Sequence, residues 1–377
     1  MTIRIEGGRV LRGGGYDGAP LVLEGAQIAD PGHRGADAEL VDAQGCLVLP
    51  GIVDIHGDAF ERQIMPRPKV TFPLDVGLRD TDRQLVSNGI TTAFHGVTVS
   101  WEPGLRSLES ARALIGTLTA IRPSLGCDTR LHIRWETFAF DAIEDVERWI
   151  SADPQVILAF NDHTTATIEK APASRKTATH AQRAGLTLPE YEAMLEAMWE
   201  RREAVPAAIE RLAAHTRAVG AVLLAHDERT VEERLYYRAL GAVASEFPMY
   251  RETAQAARDA GEHTVLGAPN VVRGGSHNGM MDATSAVADG LCTVLTSDYY
   301  YPAPLLAAFK LAADGVTDLA SAWRLVSANA AEAAGLTDRG TLDPGRRADV
   351  ILVDDEDPRA PRVVAAYVAG RRVYAAG

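Results

Sequence analysis

The sequence predicts an α/β fold: a TIM-like (β/α)8 barrel with a small β-sandwich domain built from both termini. Two observations lead there. The middle of the chain alternates short apolar runs with amphipathic helical stretches, the pattern of parallel strands joined by crossover helices. Both ends instead carry short β-like runs broken by Gly and Asp, a shared grammar that lets sequence-distant segments pair into one antiparallel unit.

The apolar runs number eight, at residues 51–56, 91–97, 130–136, 156–160, 221–226, 243–247, 264–268 and 293–297. Helical patterns fall between them at 76–89, 105–121, 141–152, 187–219, 228–240, 250–260, 280–289 and 302–312. The stretch 187–219 is interrupted by Pro206, which cannot donate inside a helix, so it divides into at least two helices. Eight βα units suit a closed barrel, with an open doubly wound sheet as the alternative. A barrel takes about 250 residues, and the 377-residue chain leaves room for one accessory domain. The expected division is 1–50 plus 340–377 for the β-sandwich and 51–339 for the barrel.

Composition narrows the function classes. The formal net charge of -13 argues against a nucleic-acid or anionic-membrane binder, though a local cluster of Arg and Lys can still hold an anionic small molecule. Cys46, Cys127 and Cys292 are scattered and form no C-x-x-C, which points away from a disulfide framework or thiolate zinc site and toward a reducing compartment. The N-terminus lacks a signal-peptide pattern, and no run approaches the roughly 20 apolar residues of a membrane span. A cytoplasmic enzyme is expected, with a homodimer as the default assembly.

Metal-capable residues stand at the C-terminal ends of the predicted strands, where barrel enzymes keep their active sites. Strand 1 ends Asp54-Ile-His56-Gly-Asp58, with His56 and Asp58 two apart and so on one side of an extended chain. Strand 3 ends His132-Ile-Arg134-Trp-Glu136; Glu136 has two oxygens to offer, and His132 would lie deeper. His163 follows strand 4, His226 ends strand 5, and Asp298 follows strand 8, placed to bind metal and take a proton from water. H-x-D alone is a weak signal, and a packed His or an exposed Glu explains any one position. Their joint occurrence at five strand tips is what implies a metal centre.

Leu49-Pro-Gly-Ile-Val-Asp-Ile-His56, Ser297-Asp298 and the closing Gly340-Thr-Leu-Asp-Pro-Gly-Arg-Arg-Ala-Asp-Val350 resemble the amidohydrolase superfamily over nearly the whole chain. Narrower stretches are similar to its phosphonate-metabolism branch, the PhnM proteins. These include His56-Gly-Asp-Ala-Phe-Glu-Arg62, Met65-Pro-Arg67-Pro-Lys69 and Gly267-Ala-Pro-Asn-Val-Val-Arg273-Gly-Gly-Ser-His277. The superfamily's usual H-x-H on strand 1 is H-x-D here, as in that branch. The resemblance implies hydrolysis of α-D-ribose 1-methylphosphonate 5-triphosphate to the 5-phosphate and diphosphate, ahead of carbon–phosphorus bond cleavage.

The implied reaction needs one or two divalent ions, zinc first with Mn, Fe or Ni as alternatives, held by His56, Asp58, Glu136, His163, His226 and Asp298. Its phosphorylated sugar substrate needs cations. Arg62, Arg67 and Lys69 in the first βα loop and Arg273 after strand 7 are the candidates, with Arg175, Lys176 and Arg229 as weaker ones. His277, in a glycine-rich loop, would protonate a leaving oxygen or hydrogen-bond the substrate. Two other readings remain: a cyclic amidohydrolase or deaminase on the same scaffold, and a non-catalytic assembly protein.

Overall fold

The computed structural model describes all residues except Pro31, 34–37, Pro68, 171–176, 276–279 and Gly377. Its centre is an eight-stranded parallel sheet whose strands neighbour one another in sequence order. They are β1 (Ile52–Gly57), β2 (Ile90–Val99), β3 (Asp128–Glu136), β4 (Ile157–Asn161), β5 (Val222–His226), β6 (Ala244–Glu246), β7 (His263–Gly267) and β8 (Val294–Thr296). All eight expected strands are present; β6 and β8 are shorter than expected, at three residues each.

The first and last strands meet at the top of the barrel, where Gly57 bridges Asp298 in parallel. The Asp298 N–H donates to the His56 carbonyl and the Asp58 N–H to the Asp298 carbonyl, both at 2.9 Å. Lower down the two strands part around Leu325 and Val326, whose carbonyls accept from Leu295 and Val53. Buried Asp54 ties the seam by accepting from Ser297 N at 2.9 Å and Ser297 Oγ at 2.5 Å. The nearly closed sheet replaces the open alternative.

The helices fall where the periodicity placed them, for example Leu74–Ser87, Leu108–Ile121, Ile143–Ala152 and Ala303–Ala313. The long Ala-rich stretch is two helices, Leu188–Trp199 and Val205–Val219, and Pro206 sits in the first turn of the second, where its missing N–H costs nothing.

Period-two alternation explains where the barrel changes character. Ile157 and Ala159 of β4, Leu224 of β5, Ala244 of β6, Val265 of β7 and Val294 of β8 share one apolar interior cluster. Leu158, Phe160, Leu223 and Ala225 belong instead to the layer under the helices. One step further along the inward face stand Asn161, His226, Glu246, Gly267 and Thr296. The same rule puts Ile133 and Trp135 of β3 outward and His132, Arg134 and Glu136 inward.

The termini form the accessory layers. A six-stranded sheet takes Arg9–Arg12, Gly15–Asp17 and Cys46–Pro50 from one end and Val350–Asp354, Arg362–Val368 and Arg371–Ala375 from the other, with Leu49 opposite Ile351. A four-stranded sheet comes from the N-terminal end alone. The larger sheet is apolar on both faces. Val48, Val350 and Leu352 pack with Ile3, Ile5 and Leu23 of the smaller sheet. Leu47, Leu49, Ile351 and Val353 pack with Leu85 and Val86 on the barrel side. Among the described residues no helix is long and apolar enough to cross a membrane.

Candidate metal centre

The polar layer above the apolar barrel core surrounds a cavity of about 280 Å³, lined by residues that include His56, Asp58, Arg134, His226, Asp227, Asp298 and Arg273. Three groups of donors there each bring their ligand atoms within 4.8 Å of one another: His56, Asp58 and Asp298; His56, His226 and Glu246; and His163, His226 and Asp227. His56 and His226 are each shared by two groups, so the three form one continuous cluster.

Of the six metal-ligand candidates from the sequence, five enter this cluster. Glu136 stands apart from the three groups. Its carboxylate accepts from His163 N at 3.2 Å, Thr164 N at 3.0 Å and Thr164 Oγ1 at 2.7 Å, and lies 3.8 Å from His163 Nδ1. Glu246 and Asp227 enter the cluster without having been chosen from the sequence. Glu246 ends β6 as His226 ends β5, so the strand-tip rule could have found it; Asp227 directly follows His226, and its positive φ, which the alternation rule does not anticipate, brings it into the cluster.

Glu246 is fully buried at the centre of the histidines. Its Oε1 lies 2.9 Å from His56 Nδ1, and its Oε2 lies 3.5 Å from His132 Nε2 and 4.0 Å from His226 Nε2. His132 sits deeper, its Nδ1 donating to the Ile55 carbonyl at 2.8 Å. Asp227 Oδ2 is 3.4 Å from His163 Nε2 and 3.2 Å from His226 Nδ1, the latter without hydrogen-bond geometry.

Backbone conformation aims several of these groups. Asp227 and Phe247, immediately after the tips of β5 and β6, and Asp298, two residues after the tip of β8, have φ of 59°, 53° and 53°. Such left-handed turns at non-glycine residues cost on the order of 1 kcal/mol or more each and cluster at functional sites. The Phe247 ring packs edge-on against both His56 and His226, at 4.9 and 5.2 Å between centroids. Two glycines leave the room: a Cβ on Gly267 would lie 3.1 Å from Asp298 Oδ2, and one on Gly96 would lie 3.4 Å from Arg134 Cδ and 3.5 Å from His56 Nε2.

The electrostatics are those of a buried, charge-dense site. Burial, with Arg134 and His226 nearby, holds His56 well below the usual imidazole range, so it is neutral and able to offer a lone pair. Burial, reinforced by Asp58, pushes the Asp298 carboxyl up to about 7. Burial would raise Asp227 as well, but the flanking His226 and His163 outweigh it and hold the carboxyl well below its usual range. Burial raises Glu136 to about 7, against the pull of His163.

The residues fit a divalent cation. Both ring nitrogens of His226, Nε2 of His132 and Oε2 of Glu246 are buried with no hydrogen-bond partner among the described residues. Unsatisfied buried polar atoms cost about 1–3 kcal/mol each, and a cation shared by imidazoles and carboxylates would satisfy those that face the cavity.

The cationic candidates divide. Arg273 lines the cavity and donates to Tyr299 Oη at 3.3 Å, while the Arg62 guanidinium lies 5.7 Å from the centre of the Tyr299 ring. Tyr299 thus carries both exposed arginines at the rim. Arg67 and Lys69 are exposed in the loop after β1 and do not line the cavity. Arg229 is spent on Glu169 and Glu233. Arg175, Lys176 and His277 lie outside the described residues. Two further arginines were not chosen from the sequence: the buried Arg134, against Asp58, and the half-buried Arg106, which makes paired 2.9 Å bonds to Glu61.

Known proteins agree with this architecture. The family model described as "Amidohydrolase family" matches residues 151–373. Over 348 residues the chain is 32% identical to the α-D-ribose 1-methylphosphonate 5-triphosphate diphosphatase of Escherichia coli K12, covering 89% of this chain and 90% of that protein. A shorter match, 53% identical over 58 residues, joins 15% of the chain to 10% of an adenine deaminase of Methylobacterium nodulans. Among solved structures, an amidohydrolase from a Sargasso Sea environmental sample superposes with a TM-score of 0.67 at 15% identity, covering 100% of this chain and 93% of that one. The eight-stranded barrel, the donor cluster at its mouth and these matches together show that the chain belongs to the amidohydrolase family and resembles its PhnM branch.

Proposed function

We propose that the protein is a metal-dependent diphosphohydrolase that cleaves α-D-ribose 1-methylphosphonate 5-triphosphate to the 5-phosphate and diphosphate. The observation that carries this reading is the joining of a continuous His/carboxylate cluster to arginines in one cavity, in a chain 32% identical over 89% of its length to a protein with that activity. A neutral cyclic amide would need no such cations.

The proposed ligands are His56, Asp58, His163, His226 and Asp298, with Glu246 and Asp227 joining them and Glu136 behind His163. One or two divalent ions held there, zinc first, would supply Lewis-acid polarisation and a water acidic enough to react near neutral pH. Asp298 orients the attacking water and accepts its proton. The water oxygen forms a bond to the α-phosphorus, the bond from that phosphorus to the bridging oxygen breaks, and diphosphate departs with the electron pair. Arg62 and Arg273 hold the outer phosphates from the rim.

The test is diphosphate release by the metal-loaded protein from the ribose triphosphate, from ATP and from a cyclic amide. Release of one diphosphate per ribose triphosphate is expected. Turnover of the cyclic amide, indifferent to added triphosphate, would replace this reading with the amidase one.

A further inference from the structure

Arginines in this protein are mostly committed to carboxylates. Arg106 is paired twice with Glu61, Arg183 binds Glu102, Arg234 binds Glu228 within the core, and Arg229 is held by two glutamates. Arg134 differs. Its side chain is 6% exposed, yet Nη1 reaches Asp58 Oδ2 only at 3.4 Å, longer than the shortest carboxylate bond of each arginine above, which runs from 2.6 to 3.2 Å. A charge-assisted arginine–carboxylate hydrogen bond closes to about 2.7–2.9 Å. Arg134 therefore brings a buried charge with unspent donors into the wall of the cavity that also holds His56, Asp58 and Asp298.

The surrounding chain is shaped to keep it there. Arg134 lies on the inward face of β3, between the deeper His132 and the outer Glu136, and pairs in register with Thr98 of β2. Two residues before Thr98, the bare backbone of Gly96 passes Arg134 Cδ and His56 Nε2 at a spacing where a larger side chain would displace both. Burying a guanidinium costs several kcal/mol unless it is fully hydrogen-bonded, and here the protein leaves that requirement partly unmet beside the donor cluster.

We propose that Arg134 binds a tetrahedral phosphorus oxyanion, its guanidinium gripping non-bridging oxygens of the phosphoryl group nearest the donor cluster. This deepens the diphosphohydrolase reading and rests on it for the identity of the group bound. The planar fork matches two oxygens of such a group, which a point charge cannot do. Arg134 at the wall and the exposed Arg62 and Arg273 at the rim then divide the labour: the first contacts the phosphorus that reacts, the others the outer charge.

The test compares the metal-loaded protein with Arg134→Gln and Arg134→Lys, using inorganic phosphate as probe in calorimetry, with metal content and melting temperature measured on the same samples. Loss of a charge-assisted contact corresponds to roughly ten- to a hundredfold in affinity. Phosphate binding weakened by that factor in Arg134→Gln, partly regained in Arg134→Lys, with metal content unchanged, is the expected result. Phosphate affinity unchanged in Arg134→Gln overturns the proposal, as does a parent protein that binds no phosphate. Parallel loss of metal and phosphate in both variants overturns it too and makes Arg134 a counter-charge to Asp58. If the parent fails to release diphosphate but binds phosphate through Arg134, the oxyanion site stands and only the substrate falls.

Discussion

Glu246 Oε1 lies 2.9 Å from His56 Nδ1 with both side chains buried, and its other oxygen faces His132 and His226 without a hydrogen-bond partner among the described residues. This carboxylate, at the end of a three-residue strand, fixes the orientation of one candidate ligand and lies within reach of a second. Replacing a carboxylate that orients or joins a metal site typically costs about 10–100-fold in metal affinity. Glu246→Gln is therefore expected to lose metal on dialysis against chelator at about 10–100-fold lower chelator strength than the parent. Equal retention would remove Glu246 from the centre.

Gly96 offers a steric test of the same cluster. A methyl group there meets Arg134 and His56 at 3.4 and 3.5 Å, ordinary contact distances, whereas a branched side chain must push into them. Gly96→Ala is expected to keep most metal and activity, and Gly96→Val to lose both by an order of magnitude or more, through overpacking of about 1–3 kcal/mol. Metal content and turnover of the two variants, read beside their melting temperatures, check this.

His95 shows how burial alone sets a pH limit. It is 2% exposed, its Nδ1 has no partner among the described residues, and its ring packs edge-on against Phe60. Burial, with Arg122 adding to it, lowers its pKa from 6.5 to about 4. The folded chain thus binds this proton less readily than the unfolded one. The stability that neutral His95 contributes is full above pH 6.5 and is lost as pH falls toward about 4, up to about 3 kcal/mol. In chemical denaturation, the stability of the parent relative to His95→Leu is expected to decline across that window. A difference independent of pH would contradict it.

The rim arginines should act on binding rather than on the reaction. Arg62→Ala and Arg273→Ala remove exposed charges, so each is expected to raise KM for the ribose triphosphate about three- to tenfold with kcat little changed. Added salt should shrink the difference. Steady-state kinetics at two ionic strengths decide it, and a fall in kcat with KM unchanged would place these residues at the reacting phosphorus instead.

The barrel was legible because its strands are apolar runs between helical periods and because polar residues follow them at a fixed place. His56, Asp58, His163, His226 and Asp298 all came from that rule. Glu246 obeys it too, but the expected run 243–247 ended on Phe247, one residue beyond the observed end of the strand, so Glu246 did not stand at the predicted tip. Asp227 was masked by its neighbour His226, since consecutive residues on a strand face opposite ways and only its positive φ turns it back to the cavity. Glu136 satisfied the rule, yet its carboxylate turned to the N–H groups of His163 and Thr164, a partner that sequence spacing does not disclose. Arg134 was visible as an inward residue of β3, but whether an arginine is spent or free depends on distances alone.

Metal content is the most direct measure of whether histidines and carboxylates from opposite ends of the chain converge on shared cations. Elemental analysis of freshly purified protein, set beside His226→Ala and Asp298→Asn, supplies it. One or two divalent ions per chain are expected in the parent, with a large loss in His226→Ala. Asp298→Asn should keep most of its metal while turnover falls by about two orders of magnitude or more. A parent protein that stays fully active after its metal has been stripped would contradict the assignment.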